Sequence, residues 1–251
     1  LHSFPTRRSS DLRYFVFDAM RSLDYLVSRP DVDPQRIGAA GCSGGGALTT
    51  FTGALDPRIQ VVIPACYPSS LEPVFAGAVA HSEMLVPGET ARGLDTADFV
   101  ELRAPVPWLL QATEQDFFPA AGVRLVYEEA RRWYALYGAE DRIALQVGPG
   151  PHGMPPVSRE AVYRWLIRWL KNGDGDPREQ PVKLLANFQL RVTRTGRVED
   201  EPGSRKLHEL LRDAFRVRRQ PGTAAGLQAE LRRLRVPTDG SAPRVVAEHE
   251  S

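Results

Sequence analysis

The chain has 251 residues, is 42% hydrophobic and 25% charged, and carries a formal net charge of +1. That balance gives no broad pull toward nucleic acid or an anionic membrane, and no apolar run approaches the roughly 20 residues a membrane span needs. The two cysteines, Cys42 and Cys66, fit no metal-ligand spacing.

Residues His2 to Leu12 resemble the conceptual translation of a sequencing-adapter oligonucleotide, so 1–12 are set aside from fold reasoning. An artefact there implies that an upstream part of the protein is missing. From Arg13 to Ser28, Phe15, Ala19, Leu23 and Leu26 recur at helical spacing. Arg29 to Pro34 is rich in turn residues. Arg36 to Ala40 reads as a strand, followed by a glycine-rich run and a helix that stops before Asp56-Pro57. Gln60 to Ala65 is a second, buried strand. Cys66 to Pro105 is too long for a plain connection and is expected to form a cap or substrate wall, using Tyr67, Phe75, His81, Glu83, Met84 and Phe99. Val106 to Gln111 and Arg142 to Val147 are the third and fourth strands, separated by a helix that Gly138 ends. Val157 to Leu170 is an amphipathic helix stopped at Gly173. Continuous apolar strands alternating with helices predict an α/β fold, a parallel sheet with helices on both faces. After the linker around Gly173, an extension over 173–236 is expected to hold one or two strands within Val182 to Val198 and helices at Ser204 to Arg219 and Gly222 to Leu234. Residues 237–251 read as a disordered tail.

The run Gly41-Cys42-Ser43-Gly44-Gly45-Gly46 has the form G-x-S-x-G between a strand and a helix, the setting of a nucleophile elbow. The serine sits on a strained turn, and glycines two residues to either side keep side chains out of the neighbouring elements. Asp116 follows the third strand and His152 the fourth. Serine, acid, histidine is the chain order of α/β hydrolases, and strand C-termini are where an open α/β sheet builds its site. The chemistry needs all three residues. His152 takes the Ser43 proton as the hydroxyl attacks, and Asp116 fixes the imidazole tautomer. The backbone N–H of Gly44 supplies one oxyanion-hole donor, while the loop that normally supplies the second is not in the sequence. Other readings stand beside these. Ser43 is alternatively a turn serine, and Asp116 a helix cap with Glu114 as the acid. Cys42 and Cys66 read either as two buried thiols or as a disulfide pair. Of the five histidines, His152 alone lies between a strand and the closing helix. Arg212, Arg216, Arg218 and Arg219 read as a solvated helix face. No metal or cofactor is called for, and what the chain contains is the C-terminal half of an α/β-hydrolase sheet, over 13–172, plus the small extension.

The stretches Phe17 to Leu26, Asp33 to Gly38, Gly41 to Gly46, Leu55 to Ile59, Gly93 to Asp98 and Asp116 to Pro119 resemble bacterial acetylxylan-esterase-like α/β hydrolases, which are related to prolyl oligopeptidases. The resemblance covers Arg13 to Lys171. Leu190 to Leu234 is similar to the segment that joins the halves of tandem-hydrolase members. It implies a serine esterase acting on acetyl or other carbohydrate esters through an acyl-enzyme, with Ser43, Asp116 and His152 as its triad. A prolyl-oligopeptidase-type peptidase and an inactive hydrolase half are the alternatives. The implied partners are a small-molecule or carbohydrate ester, a missing N-terminal part and a second hydrolase domain of the same parent, with no nucleic acid and no membrane. Periplasm or secretion is the implied compartment. Expressed alone, the chain is expected to be poorly soluble and nearly inactive.

Overall fold

The computed structural model describes residues 12–77, 84–86 and 88–218, with isolated positions up to 229. His81, Glu83 and the tail from Pro237 lie outside the described residues, as does most of the segment from Gly222 to Leu234. The chain divides into two compact units, Ser9–Leu184 and a second made of Leu185–Ser251 with Leu1–Arg8.

In the first unit, four strands form one all-parallel sheet in sequence order: β1 (Ile37–Cys42), β2 (Ile59–Ala65), β3 (Trp108–Gln115) and β4 (Ile143–Pro151). Parallel strands need crossover connections, and α2 (Gly44–Leu55), α3 (Leu71–Ala76), α4 (Thr96–Glu101) and α5 (Ala120–Leu136) supply them, while α1 (Leu12–Ser28) precedes β1 and α6 (Pro156–Leu170) follows β4. One sheet face presents Ile59, Val62, Trp108 and Leu110 to Leu23 of α1, Val100 of α4 and Val123, Val126 and Tyr134 of α5. The other presents Val61, Ile63 and Leu109 to Val162 and Trp165 of α6. The pleat explains the division: neighbouring residues of β2 point to opposite faces, and each finds a helix. Fully burying a side chain of this size contributes about 1.5–3 kcal/mol, so the central strands, whose Val61, Val62, Ile63, Trp108 and Leu110 are all 0% exposed, anchor the unit. Among the described residues β1 pairs with β2 alone, and it is the least buried strand: Gly38 and Ala40 are exposed and Ala39 half-buried.

Polar clamps hold the connections. Asp56, 2% exposed, accepts from Arg58 N at 3.0 Å and Arg58 Nε at 2.8 Å, while Arg58 Nη1 reaches Asp24 of α1 at 2.6 Å. Arg103 donates to the carbonyls of Gly53, Asp56 and Ile59 at 2.9, 2.7 and 3.1 Å. The first two bonds satisfy carbonyls at the end of α2 that the helix itself leaves open, and the third reaches the first residue of β2. Within the long β2–β3 segment, Asp95 accepts from Ser70 Oγ at 2.6 Å, Leu71 N at 2.9 Å and Thr96 N at 2.6 Å. Asp98 accepts from Asp95 N at 2.7 Å, completing a capping box at the start of α4.

Glu101, at the end of α4, is half-buried and its Oε1 has no hydrogen-bond partner. Burial, then the neighbouring charges of Glu129 and Asp98, push its pKa up to about 7 from 4.5. The folded chain therefore keeps a proton that the unfolded chain releases, and stability is lost as pH rises from 4.5 through about 7. Glu101→Gln is expected to flatten the decline of the melting temperature across that window. An unchanged slope in thermal melts of the variant would assign the decline to another group.

The extension differs from expectation. No strand is present among the described residues of Val182 to Val198; short 3-10 turns occur at Asn187–Leu190 and Val198–Asp200. Val182, Leu184, Phe188 and Val192 are 76%, 85%, 72% and 98% exposed. Alternating residues make a strand only where a partner ladder and a covering layer exist, and among the described residues neither meets this stretch. Residues 173–184, expected to be linker, group with the sheet unit. Glu179 pairs with both Arg159 Nε and Nη2 of α6, at 2.7 and 2.6 Å, and so ties the segment down. The expected helix in Ser204 to Arg219 is present as α7 (Leu207–Arg218).

Candidate active site

Four residues occupy equivalent places. Ser43, Cys66, Asp116 and His152 are each the first residue past the C-terminal end of β1, β2, β3 and β4. Parallel strands align those ends at one edge of the sheet. Cys42, Ala65 and Gln111 are level in the register, whereas β3 continues four residues further and β4 five, to the Gln115–Pro151 pair. Between Thr113 and Gln115 the register slips, so that β4 carries an extra residue, with Gly150 at φ 90. A bulge of this kind re-aims a strand end, here the one bearing His152.

Ser43 stands at φ 60, ψ −122, outside the regions a side chain normally adopts. Its conformation is over-determined. Its N–H donates to Ala65 O at 2.9 Å and its carbonyl accepts from Ala47 N at 2.9 Å. A Cβ on Gly41 would lie 2.4 Å from Gly45 O. The expected constraint on Gly45 is absent, since nothing lies within 4 Å of a Cβ there. It falls instead on Gly46, where a Cβ would lie 2.3 Å from Ala65 O and 3.0 Å from Tyr67 Cβ. Helical geometry turns Gly46, not Gly45, toward β2. Gly46→Ala is accordingly expected to cost about 1–3 kcal/mol through overpacking. Gly45→Ala is expected to be neutral or to gain about 0.5–1 kcal/mol, because alanine is the better helix former. Chemical denaturation of the two variants checks the contrast, and equal losses would contradict it.

Asp116 Oδ1 and His152 Nδ1 are 2.8 Å apart. The Asp116 side chain is 1% exposed and that of His152 is 24% exposed. Phe118 N donates to Asp116 Oδ1 at 2.9 Å, and Thr113 Oγ1 lies 3.3 Å from Asp116 Oδ2 and 3.0 Å from Pro151 O. The carboxylate is thus fixed by β3 and its own loop. An ionised carboxylate only accepts, so a proton between the two sits on Nδ1 and the Nε2 lone pair is free. Glu114 is exposed, and the carboxylate hydrogen-bonded to His152 is that of Asp116. No hydrogen bond joins Ser43 to His152; such bonds commonly tighten only when substrate is bound. Gly44 opens α2, so its N–H has no intrahelical partner and is free to donate. The Cε of Met84 lies 3.3 Å from where a Cβ on Gly44 would stand, which brings part of the β2–β3 segment over the elbow.

Phe117 and Cys66 are site neighbours that motif spacing did not single out as such. The Phe117 ring stacks on His152 at 4.2 Å and 29° and is 54% exposed. Cys66, at φ 55, is buried and its Sγ lies 3.1 Å from Gly153 O. Burial, then the Cys42 thiol, push its pKa up. Both cysteines are free thiols, Cys66 buried and Cys42 half-buried. The legible signal for Cys66 was positional: it follows a strand end just as the three triad candidates do.

A parallel sheet covered on both faces, with a strand-to-helix turn at Ser43 and the later strand ends gathered at one edge, has the α/β-hydrolase fold. Solved esterases share this fold: the glucuronoyl esterase catalytic domain from Hypocrea jecorina superposes with a TM-score of 0.57 at 15% identity, over 74% of this chain and 59% of that one. Residues 8–72 match the family described as acetyl xylan esterase (AXE1). YtaP of Bacillus subtilis, which carries a hydrolase name, is 31% identical over 158 residues, 62% of this chain and 53% of YtaP. The acetyl esterase Axe7A of Xylanibacter ruminicola is 36% identical over 52 residues, 21% of this chain and 12% of that protein. The chain thus spans about half the length of YtaP, and less of Axe7A.

Proposed function

We propose that the chain carries the catalytic centre of a serine esterase that removes acetyl or related acyl groups from carbohydrate esters. The observation that carries this reading is the Asp116–His152 pair at 2.8 Å, on the same sheet edge as Ser43 in its strained elbow. Ser43 Oγ attacks the ester carbonyl while His152 Nε2 takes its proton. The Gly44 N–H stabilises the oxyanion, with the positive end of α2 behind it. His152 then protonates the departing alcohol, leaving an acyl-Ser43. Water, activated by the same imidazole, hydrolyses it. Every step uses side chains and backbone of this chain. The exposed Phe117 ring offers the sugar an apolar face.

One missing oxyanion donor typically lowers the rate by about 10²–10³. With Gly44 as the one donor assigned, turnover by the chain alone is expected to be slow by that factor. The substrate class is tested by offering acetylated xylo-oligosaccharides beside proline-containing peptides and following acetate and amine release. Acetate release alone supports the esterase reading. Peptide cleavage without acetate release would replace it with the peptidase.

A further inference from the structure

The esterase steps leave one reactive group unused. Cys66 contributes nothing to acyl transfer, yet it is buried between the elbow strand and the acid–histidine pair. One ligand atom each from Cys66, Asp116 and His152 lies within 4.8 Å of the others. Two of the three are already 2.8 Å apart. Sulfur, imidazole nitrogen and carboxylate oxygen together form a donor set suited to Zn²⁺ and its relatives, and poorly suited to Mg²⁺ or Ca²⁺. Bonds of about 2.0–2.3 Å set tetrahedral ligand atoms roughly 3.3–3.8 Å apart. Closing from 4.8 Å therefore takes a shift of about an ångström, and the 2.8 Å Asp116–His152 pair opens by about half an ångström or more. His152 is the partner able to make it, being partly exposed and followed by Gly153 at φ 151. Sequence spacing hides this set because its members come from three different strands.

We propose that Cys66, Asp116 and His152 bind a thiophilic divalent cation of the Zn²⁺ class, and that occupancy switches off hydrolysis. On binding, the Cys66 thiol gives its proton to solvent and the thiolate bonds the metal. The imidazole stays neutral, with its proton on the ring nitrogen that the metal leaves free. A cation on Nδ1 puts that proton on Nε2, which then accepts nothing from Ser43. A cation on Nε2 takes the lone pair directly. Either way the general base is gone. The switching part rests on the esterase reading above; the binding part does not.

The test adds Co²⁺ to the metal-free chain and looks for thiolate-to-cobalt charge-transfer absorption. It is expected, with displacement by Zn²⁺ and no competition from Mg²⁺ or Ca²⁺. Cys66→Ser should abolish the band, and Asp116→Asn should weaken Co²⁺ binding about tenfold or more. Cys42→Ser should keep the band. In parallel, Zn²⁺ should suppress p-nitrophenyl acetate turnover, chelator should restore it, and Cys66→Ser should need about tenfold more Zn²⁺ or more for half-inhibition. Absence of the band, or its survival in Cys66→Ser with loss in Cys42→Ser, would overturn the site. A band from a chain whose metal-free turnover survives Ser43→Ala would keep the cation site and sink the esterase reading. A band with Ser43-dependent but Zn²⁺-insensitive turnover would keep the esterase reading and overturn the switch.

Discussion

Ser43→Ala is expected to bring p-nitrophenyl acetate hydrolysis down to the buffer background, a loss of about 10⁴-fold or more where the unmodified rate allows it to be read. The magnitude follows from the role. Removing the nucleophile ends the covalent route, and neither His152 nor the Gly44 donor can replace a missing oxygen atom. A loss of that size is about 5.5 kcal/mol of transition-state stabilisation. The fold is expected to survive, because the contacts that hold the elbow are backbone ones: Ser43 N to Ala65 O and Ala47 N to Ser43 O, both 2.9 Å. Deleting the hydroxyl touches neither. Circular dichroism and thermal melts of the variant separate lost chemistry from lost structure. A variant that melts like the parent and still turns over the ester would show that another group is the nucleophile.

Strand and helix positions were legible because burial imposes a period. β2 sits between covered faces, so all its residues but Gln60 are apolar and its ends were readable within one position, whereas β3 runs four residues past the expected end at Gln111, through the polar Thr113, Glu114 and Gln115. The triad candidates were legible because each follows such a strand. What the sequence did not disclose depends on distance across the fold. That Gly46 and not Gly45 faces Ala65 depends on how α2 lies against β2. Several residues that carry the family resemblance turn out to be scaffold. Asp24, Asp56 and Arg58 join α1 to the turn before β2, and Asp95 with Asp98 staples the β2–β3 segment at Ser70 and Leu71. Their motif strings look the same whether the residues bind substrate or hold a loop. The stretch from Val182 to Val198 failed for the opposite reason. Its alternation is real, but alternation only permits a strand, and a ladder partner must be supplied by another part of the fold.

For the acid of the proposed triad the sequence left two candidates, of which Asp116 lies 2.8 Å from His152 Nδ1. Asp116→Asn is expected to lower turnover about 10⁴-fold, the scale seen when an amide replaces the carboxylate of such a triad. The asparagine amide is isosteric, but Asp116 Oδ1 serves both Phe118 N at 2.9 Å and His152 Nδ1 at 2.8 Å, so an NH₂ turned to the imidazole gives up the bond from Phe118 N. What changes is the proton. An amide NH₂ facing His152 Nδ1 favours the tautomer with its proton on Nε2, and that nitrogen can no longer accept from Ser43. Glu114→Gln should alter turnover by less than about twofold, within the range of surface substitutions remote from the reacting groups. Glu114 is exposed on β3, one residue past Thr113, which points inward toward Pro151 O. To reach the imidazole it would have to cross its own strand. Rates for the two variants, measured beside Ser43→Ala, decide the matter. A severe Glu114→Gln with a mild Asp116→Asn would exchange the roles, and two mild variants would leave His152 working without a carboxylate partner.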